Sequence, residues 1–332
     1  MKRVTILALD DAAATTITGP YDSFCLTGVI WNIGQGQDIM PEFEVEIVTP
    51  TGDPARCMNN LTIMPHRAMA EVQETDLVLV SSVLDIHNTL ARQGEIVDWL
   101  RKRYEAGAML ASVCTGTFAL AETGLLDGKI ATTHWRAADE FKSLYPKVQL
   151  KPERLITDAG DIFCSGGFNS SVDLANYLIE KMCGREIAIQ CAKSLVIDRG
   201  RVSQTPYSVF HFQREHNDDQ ILKIQDTLER NFSKDIDLDY LSQKHGMGRR
   251  TMERRFKAST GDTPLMYLQR VRVEEAKRNL ESKDMTFGEI SYLVGYEDTS
   301  FFRKIFIKHT TMRPTEYRSK FVKVVNFGTQ IQ

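Results

Sequence analysis

The chain has 332 residues, 42% of them hydrophobic and 26% charged, which is ordinary for a globular protein and long enough for two domains with separate cores. No run approaches the roughly 18 apolar residues of a membrane span, and the first residues do not form a signal peptide, so we expect no membrane contact and a cytoplasmic location. The six cysteines lack C-x-x-C spacing, so no metal site, disulfide framework or cofactor is expected.

The formal net charge of -3 conceals an asymmetry between the two ends of the chain. From residue 240 onward, 18 lysines and arginines stand against 10 aspartates and glutamates, which gives +8 there and leaves -11 for residues 1–239. An acidic body with a basic tail indicates that the tail meets a polyanion. The charge does not say which polyanion.

The first two hundred residues alternate between apolar strands and helices. Strands are predicted at 3–9, 43–48, 76–80, 109–113 and 130–133. Helices are predicted at 19–34, 86–105, 116–123, 135–144, 170–182 and 185–196. This alternation predicts an α/β domain in which a largely parallel sheet is covered by helices on both faces.

Residues 198–207 break this pattern with glycine, proline and polar residues, so a domain boundary is predicted there. We assign residues 1–198 to the first domain, 199–216 to a linker and 217–332 to the second domain. The second domain is predicted to be entirely helical, beginning with a helix at 218–232.

A basic helix in the second domain is preceded by a short helix and a tight turn. In the segment 247–257, Met252 and Phe256 lie on one side of a helix, and the basic residues lie on the other. Residues 238–246 form the shorter helix and end in Gly246, where left-handed backbone costs little. This arrangement predicts a helix-turn-helix.

The same plan recurs 50 residues later. Phe256, Thr260, Pro264 and Tyr267 are matched by Phe306, Thr310, Pro314 and Tyr317. A basic helix face by itself is most often a solvated surface, but a repeat of this order is difficult to obtain by chance. A second helix-turn-helix is therefore predicted, with a helix at 264–280 between the two.

Two such units over roughly 100 residues resemble the DNA-binding domain of the AraC/XylS family of transcription regulators. The resemblance rests on Arg254-Arg-Phe-Lys, Thr260-Gly-Asp-Thr-Pro264, Tyr267-Leu-Gln-x-x-Arg272 and Ile290-x-x-Leu-Val-Gly-Tyr-Glu-Asp298. It implies that both recognition helices enter the major groove of double-stranded DNA. Arginine suits this role because its guanidinium can bond to guanine O6 and N7 together.

The predicted DNA contacts lie on the outward faces of the two recognition helices. They are Arg249, Arg250, Glu253, Arg254, Lys257, Thr299, Ser300, Arg303 and Lys304. Glu253 could accept from cytosine N4 or form an ion pair with Lys257 within its helix. Phe301 departs from the small polar residue usual in similar sequences, and it could touch a thymine methyl or pack on its own domain.

In the first domain, Met109-Leu-Ala-Ser-Val-Cys-Thr-Gly116 is a strand that meets a small-residue turn and a helix. This nucleophile elbow would hold Cys114 at the carboxyl edge of the sheet, where the positive end of the helix lowers a thiol pKa. His134 ends the next predicted strand. The arrangement over residues 3–196 resembles the PfpI-type, class I glutamine-amidotransferase-like fold.

This sequence departs from the catalytic members of that fold at two positions. A histidine commonly follows their cysteine, whereas Thr115 stands here, and the segment resembling Asp-Leu-Ala-Gly-Pro reads Thr16-Ile-Thr-Gly-Pro20. Without a base and its orienting partner, nucleophilic catalysis loses the groups that activate it. We therefore predict a non-catalytic effector pocket formed by Cys114, Thr115, His134 and Thr16.

Together these features predict a ligand-responsive, dimeric transcription regulator that is not an enzyme. Regulators of this appearance often sense small nitrogen compounds and often activate transcription, so a small-molecule effector, a homodimer and RNA polymerase are the expected partners besides DNA. Two alternatives remain open: a cysteine-dependent hydrolase or lyase with a DNA-binding tail, and a constitutive DNA-binding protein whose first domain only dimerises.

Overall fold

The computed structural model describes residues 1–322, which form two units, Met1–Gln204 and a second unit beginning at Thr205. The segment predicted as the linker, 199–216, is divided between these units, and the end of the predicted second domain, 323–332, lies outside the described residues. No helix within residues 1–322 has the length and apolar character needed to cross a bilayer.

The first unit contains short strands throughout. In chain order they are β1 (Lys2–Leu7), β2 (Phe43–Thr49), β3 (Ala55–Arg56), β4 (Thr62–Ile63), β5 (Arg67–Ala68), β6 (Leu77–Val80), β7 (Met109–Val113), β8 (Ile130–Ala131), β9 (Gln149–Leu150), β10 (Ile156–Asp158) and β11 (Ile162–Ser165). Within residues 1–204 a seven-stranded sheet has the order β10-β11-β7-β6-β1-β2-β5. Its pairs are parallel except for β10 with β11.

Helices cover both faces of this sheet. They are α1 (Thr15–Cys25), α2 (Ile30–Gly34), α3 (Ile86–Arg92), α4 (Glu95–Glu105), α5 (Gly116–Glu122), α6 (Ala138–Leu144), α7 (Ser170–Cys183) and α8 (Arg185–Leu195). Helices α1, α7 and α8 pack together, and α3 and α4 both pack on α5. The central strands are continuous apolar runs because both of their faces are buried. The predicted α/β class is confirmed.

Two predicted helices of the first domain are wrong in their continuity. The helix predicted at 19–34 is interrupted between α1 and α2, where Gly28 has φ 78 and a Cβ would lie 2.0 Å from the Met40 carbonyl oxygen. The helix predicted at 86–105 is divided into α3 and α4, with Gln93 outside the helical region. Local backbone geometry, which periodicity does not report, separates these pairs.

The strand predicted at 130–133 is also wrong in extent and place. Only Ile130–Ala131 is extended, and it pairs with β9 in a separate two-stranded sheet. The position beside β7 in the main sheet is taken by β11, whose four residues are all buried. Thr132 and Thr133 instead use their hydroxyls in hydrogen bonds to backbone carbonyls.

The second unit is helical over its described residues. Its helices are α9 (Asp219–Arg230), α10 (Leu238–Lys244), α11 (Arg249–Thr260), α12 (Pro264–Ser282), α13 (Phe287–Leu293), α14 (Thr299–Thr310) and α15 (Pro314–Val322). Helices α10 and α11 form the first helix-turn-helix and α13 and α14 the second, joined by α12. The two turns contain Gly246 at φ 67 and Gly295 at φ 89, where a residue with a Cβ would be strained.

The sequence repeat corresponds to a repeat in packing. The rings of Phe256 and Tyr267 meet edge to face at 5.2 Å between centroids, and those of Phe306 and Tyr317 do so at 5.6 Å. Each ring pair belongs to a separate apolar core, one in each helix-turn-helix. Phe232 packs against both cores.

Arg272 of α12 connects the two halves of this unit. Its side chain is buried, its Nε donates to the Phe232 carbonyl at 2.7 Å, and its Nη2 donates to the Lys234 carbonyl at 2.8 Å. Its guanidinium also lies 4.7 Å from the ring centroid of Tyr296 in the second turn. One cation therefore joins the segment after α9 to the second helix-turn-helix.

We expect Arg272→Met to lower the free energy of unfolding of the second unit by about 2–3 kcal/mol, because two buried carbonyls lose a charged donor. Urea unfolding followed by circular dichroism would measure the change. Arg278→Met, on an exposed position of the same helix, serves as the control and should change stability by less than about 0.5 kcal/mol. Equal effects of the two substitutions would contradict the role given to Arg272.

Candidate functional site

The strand-to-helix turn at Cys114 is a true elbow. Cys114 follows β7 directly and has φ 56, a left-handed conformation that is rare for a residue with a side chain. Helix α5 then begins at Gly116, where an added Cβ would lie 2.7 Å from the Ser81 carbonyl oxygen. The turn is therefore packed tightly against the end of β6.

The thiol at this elbow is buried rather than presented to solvent. Cys114 is only 2% exposed, and burial raises the pKa of its thiol. Hydrogen bonds from Ser82, Thr115 and the backbone of His134 oppose that rise in pKa but are outweighed by burial. The expectation of a lowered thiol pKa is wrong, because desolvation of the thiolate exceeds the effect of the helix end.

Hydrogen bonds through Ser82 join two of the predicted pocket residues. Thr16, which is fully buried, accepts a hydrogen bond from the Ser82 backbone N–H at 3.1 Å. The Ser82 hydroxyl lies 2.9 Å from that of Thr115, which donates to the Val83 carbonyl at 2.5 Å. Thr16 and Thr115 thus lie on one network at the end of β6.

The two carboxylates that precede Thr16 in the sequence are bound elsewhere. Asp10 accepts a hydrogen bond from the backbone N–H of Arg56 at 3.0 Å. Asp11 forms an ion pair with Arg92 at 3.5 Å. Neither interaction involves the thiol of Cys114.

His134 lies on the other side of the elbow. Its ring is half-buried, and burial first and the charge of Arg136 second lower its pKa. Its Nδ1 accepts the backbone N–H of Arg136 at 3.1 Å, so the neutral ring carries its proton on Nε2. The ring also lies beside Gly167, which places a neutral donor next to the elbow.

Gln204 is a residue of this site that sequence reasoning missed. It was assigned to the linker, yet its side chain is buried against Gly166, the residue after β11. A glutamine in a polar, glycine-containing stretch gives no periodic signal of burial.

Across residues 1–322, no group of three or more His, Cys, Asp and Glu side chains is arranged to hold a metal ion.

The predicted DNA contacts on the first recognition helix, α11, fall into two groups. Arg249 is paired with Asp239 at 2.7 Å and with Glu253 at 3.1 Å. The proposed ion pair of Glu253 with Lys257 is therefore replaced by one with Arg249. Its partner lies four residues toward the start of the helix instead of four residues toward its end.

The second group forms an exposed stripe along α11. Arg250, Arg254 and Lys257 are exposed and make no hydrogen bond or ion pair with another residue in the described part of the chain. Their spacing of four and three residues places them on one face. Arg255 points elsewhere and binds the Asp218 carboxylate through two nitrogens, at 2.9 and 2.6 Å.

The second recognition helix, α14, begins at a cap formed by Asp298, which accepts the N–H groups of Ser300 and Phe301. Thr299 is partly exposed at its first position, and Lys304 is exposed without a partner among residues 1–322. Arg303 lies 5.8 Å from the ring centroid of Phe287.

Phe301 packs in part on its own domain. Its ring lies 6.0 Å from that of Tyr296, yet 51% of the residue is exposed. Packing on its own domain therefore leaves half of the side chain on the outer surface of α14.

Comparisons with known proteins fall on the same two segments. Residues 2–181 match the model of the DJ-1/PfpI family, and residues 241–320 match a model described as a helix-turn-helix domain. The chain is 27% identical over 281 residues to the HTH-type transcriptional regulator CdhR of Pseudomonas aeruginosa, covering 82% of this chain and 81% of CdhR. It is 27% identical over 261 residues to the HTH-type transcriptional regulator GbdR of the same species, covering 78% and 70%.

A solved structure shares the fold of the first unit. The crystal structure of an AraC family transcriptional regulator from Pseudomonas putida aligns with a TM-score of 0.51 and 19% identity. The alignment covers 59% of this chain and 100% of that chain, and it concerns fold alone.

We expect iodoacetamide to alkylate Cys114 slowly at pH 7 and to react faster only as the pH rises beyond the ordinary thiol value of 9.0. The reason is that the thiolate reacts and burial disfavours it. Mass spectrometry of the peptide containing Cys114, after labelling across a pH series, would give the midpoint. The same peptide labelled in urea-unfolded protein is the control, and a midpoint below about 7.5 in the folded protein would indicate an activated thiol instead.

Proposed function

The chain belongs to the DJ-1/PfpI family and carries an AraC-type helix-turn-helix domain at its end, and we propose that it is a transcription regulator whose first domain senses a small molecule at the Cys114 elbow. In this proposal the occupied elbow changes how the second domain engages DNA. Homodimerisation through the first domain would place two tails on paired half-sites.

The observation that carries DNA binding is the exposed stripe of Arg250, Arg254 and Lys257 on a helix held by its own core. Each of these cations can meet phosphate or guanine without breaking an existing ion pair. Arg249 differs, because it would have to leave Asp239 and Glu253 before contacting a base. We therefore propose that Arg250 and Arg254 make the principal base contacts of the first helix-turn-helix.

The repeat supports a corresponding role for the second helix-turn-helix. Lys304 stands 50 residues after Arg254, and both are exposed and unpaired among the described residues. Ser300 stands at the position of Arg250. We therefore propose that the second recognition helix contacts DNA through the cation of Lys304 and the neutral side chains of Thr299 and Ser300, with Arg303 held partly by Phe287.

Sensing is favoured over catalysis by the environment of Cys114. A nucleophilic thiol needs a low pKa, a base and access. Burial raises the pKa of this thiol, Thr115 occupies the position next to it, and Asp10 and Asp11 engage other groups. The hydroxyls and the neutral His134 supply hydrogen-bond donors and acceptors, which suits reversible binding of a small polar effector.

Activation of transcription through RNA polymerase is the proposed output.

We expect Arg254→Ala to weaken binding to a duplex selected from a randomised pool by about 1–3 kcal/mol and to relax base preference at one position. Lys304→Ala should act at a position about 10 base pairs away if the two helices occupy successive major grooves. Fluorescence anisotropy with single-base variants of the duplex would measure both effects.

The matched control is Arg278→Ala, an exposed arginine on α12 outside both recognition helices. It should leave base preference unchanged. Uniform weakening by Arg254→Ala on every sequence, with the salt dependence reduced by about one ion, would identify a phosphate contact in place of base reading.

We expect at least one compound in a panel of amino acids, polyamines and quaternary amines to raise the melting temperature. A ligand at 100 times its Kd stabilises the folded state by about 2.7 kcal/mol. His134→Gln should reduce that shift, whereas His87→Gln, a half-exposed histidine of the same domain that pairs with Glu140, should retain it.

The result separates three possibilities. A shift that survives His134→Gln puts the ligand away from the elbow. A compound that is turned over, with loss of turnover in Cys114→Ala, identifies an enzyme. The absence of a melting-temperature shift with every compound of the panel favours a first domain that only dimerises.

A further inference from the structure

The side chain of Gln204, the last residue of the first unit, is buried in the candidate effector site. It is 3% exposed. Its Nε2 lies 2.7 Å from the Thr133 carbonyl and 3.1 Å from the Thr132 hydroxyl, and its Oε1 accepts the backbone N–H of Trp135 at 3.1 Å. One amide therefore spans the segment that surrounds His134.

One further hydrogen bond connects these contacts to Cys114. The Thr133 hydroxyl donates to the Cys114 carbonyl at 2.8 Å, and the Cys114 N–H donates to the Ser165 carbonyl at 2.8 Å. An added Cβ on Gly166, next to Ser165, would lie 2.7 Å from the Gln204 amide oxygen. Gln204 thus contacts the segments on both sides of the elbow.

The backbone around Gln204 is also held on the first unit. The Gln204 N–H donates to the Glu153 carbonyl at 3.1 Å, and the Leu155 N–H donates to the Val202 carbonyl at 3.1 Å. We call residues 201–204 the strap. Thr205, which follows it directly, begins the second unit.

Two walls, formed by different segments of the chain, border the site. The first wall contains Cys114 and Gly116, and an added Cβ on Gly116 would lie 2.7 Å from the Ser81 carbonyl oxygen. The wall at residues 132–135 lies beyond β8 and is held through side-chain and amide hydrogen bonds. A ligand that contacts His134 therefore acts on the wall to which Gln204 is bonded.

We propose that Gln204 is the positioning residue that couples the effector site to the DNA-binding unit. Hydrogen bonds are directional, so displacement of Thr133 or Trp135 must move the Gln204 amide or break its bonds. Movement of Gln204 moves the start of the second unit, since Thr205 is its chain neighbour. This inference rests on the proposed function and identifies how its signal leaves the site.

Coupling between two sites is reciprocal, which allows a test without the effector. The probe is the DNA duplex of highest affinity recovered from a randomised pool. Hydrogen–deuterium exchange with mass spectrometry would follow amides 132–135 in the full chain, with and without the duplex. We expect DNA to change their exchange rates by about fivefold or more in the wild-type protein.

In Gln204→Met, which keeps the volume and removes the amide, we expect that DNA-dependent difference to disappear. Gln204→Glu provides a second variant, because it keeps an oxygen for the Trp135 N–H and loses the donor to Thr133. Melting temperature and DNA affinity verify that each variant folds. Ser203→Ala is the matched control, since it removes the hydroxyl that donates to the Glu153 carbonyl within the same strap, and it should retain the wild-type difference.

Each outcome decides the proposal. Loss of the difference in both Gln204 variants, with retention in Ser203→Ala, supports it. An unchanged difference in Gln204→Met, or no difference in the wild-type protein bound to DNA, overturns the coupling while leaving DNA binding intact. Failure to recover any duplex overturns the proposed function, and the coupling fails with it.

Discussion

A buried cation links the two helix-turn-helix motifs, in addition to α12 and Phe232. The Arg272 guanidinium bonds to the carbonyls of Phe232 and Lys234 while stacking on Tyr296 of the second turn. A charge in this position is stable only while its partners remain in place. The segment after α9 is therefore fixed to the second helix-turn-helix by a side chain as well as by the path of α12.

The first domain has the backbone of a nucleophile elbow but a different set of side chains around it. Left-handed backbone at Cys114 costs about 1–3 kcal/mol and is retained although the thiol is inside the protein. Thr115 and Ser82 place hydroxyls on one side of the turn, and Gln204 lies on the other side, bonded to Thr133. The strained turn thus serves to bring several polar groups to one place, which is as useful for recognition as for catalysis.

Much of this architecture was predictable because it rests on periodic patterns. The 50-residue repeat predicted the two helix-turn-helix units, and the apolar run ending at Cys114 predicted the elbow. Features determined by three-dimensional proximity were not predictable. Desolvation of the thiol, the pairing of Arg249 with Asp239 and the burial of Gln204 each depend on residues distant in sequence or on tertiary burial, and no local pattern records them.

The repeated packing of the second domain has an evolutionary consequence. Met252 and Phe256 face the core of the first helix-turn-helix, whereas Arg250 and Arg254 occupy the opposite side of the same helix. The core and the proposed DNA contacts therefore use separate positions, and the second helix-turn-helix repeats this division. Exposed residues of α14, such as Lys304, can be substituted without changing either core. On the proposed function, such surface substitutions would alter which operator is bound while the fold is retained.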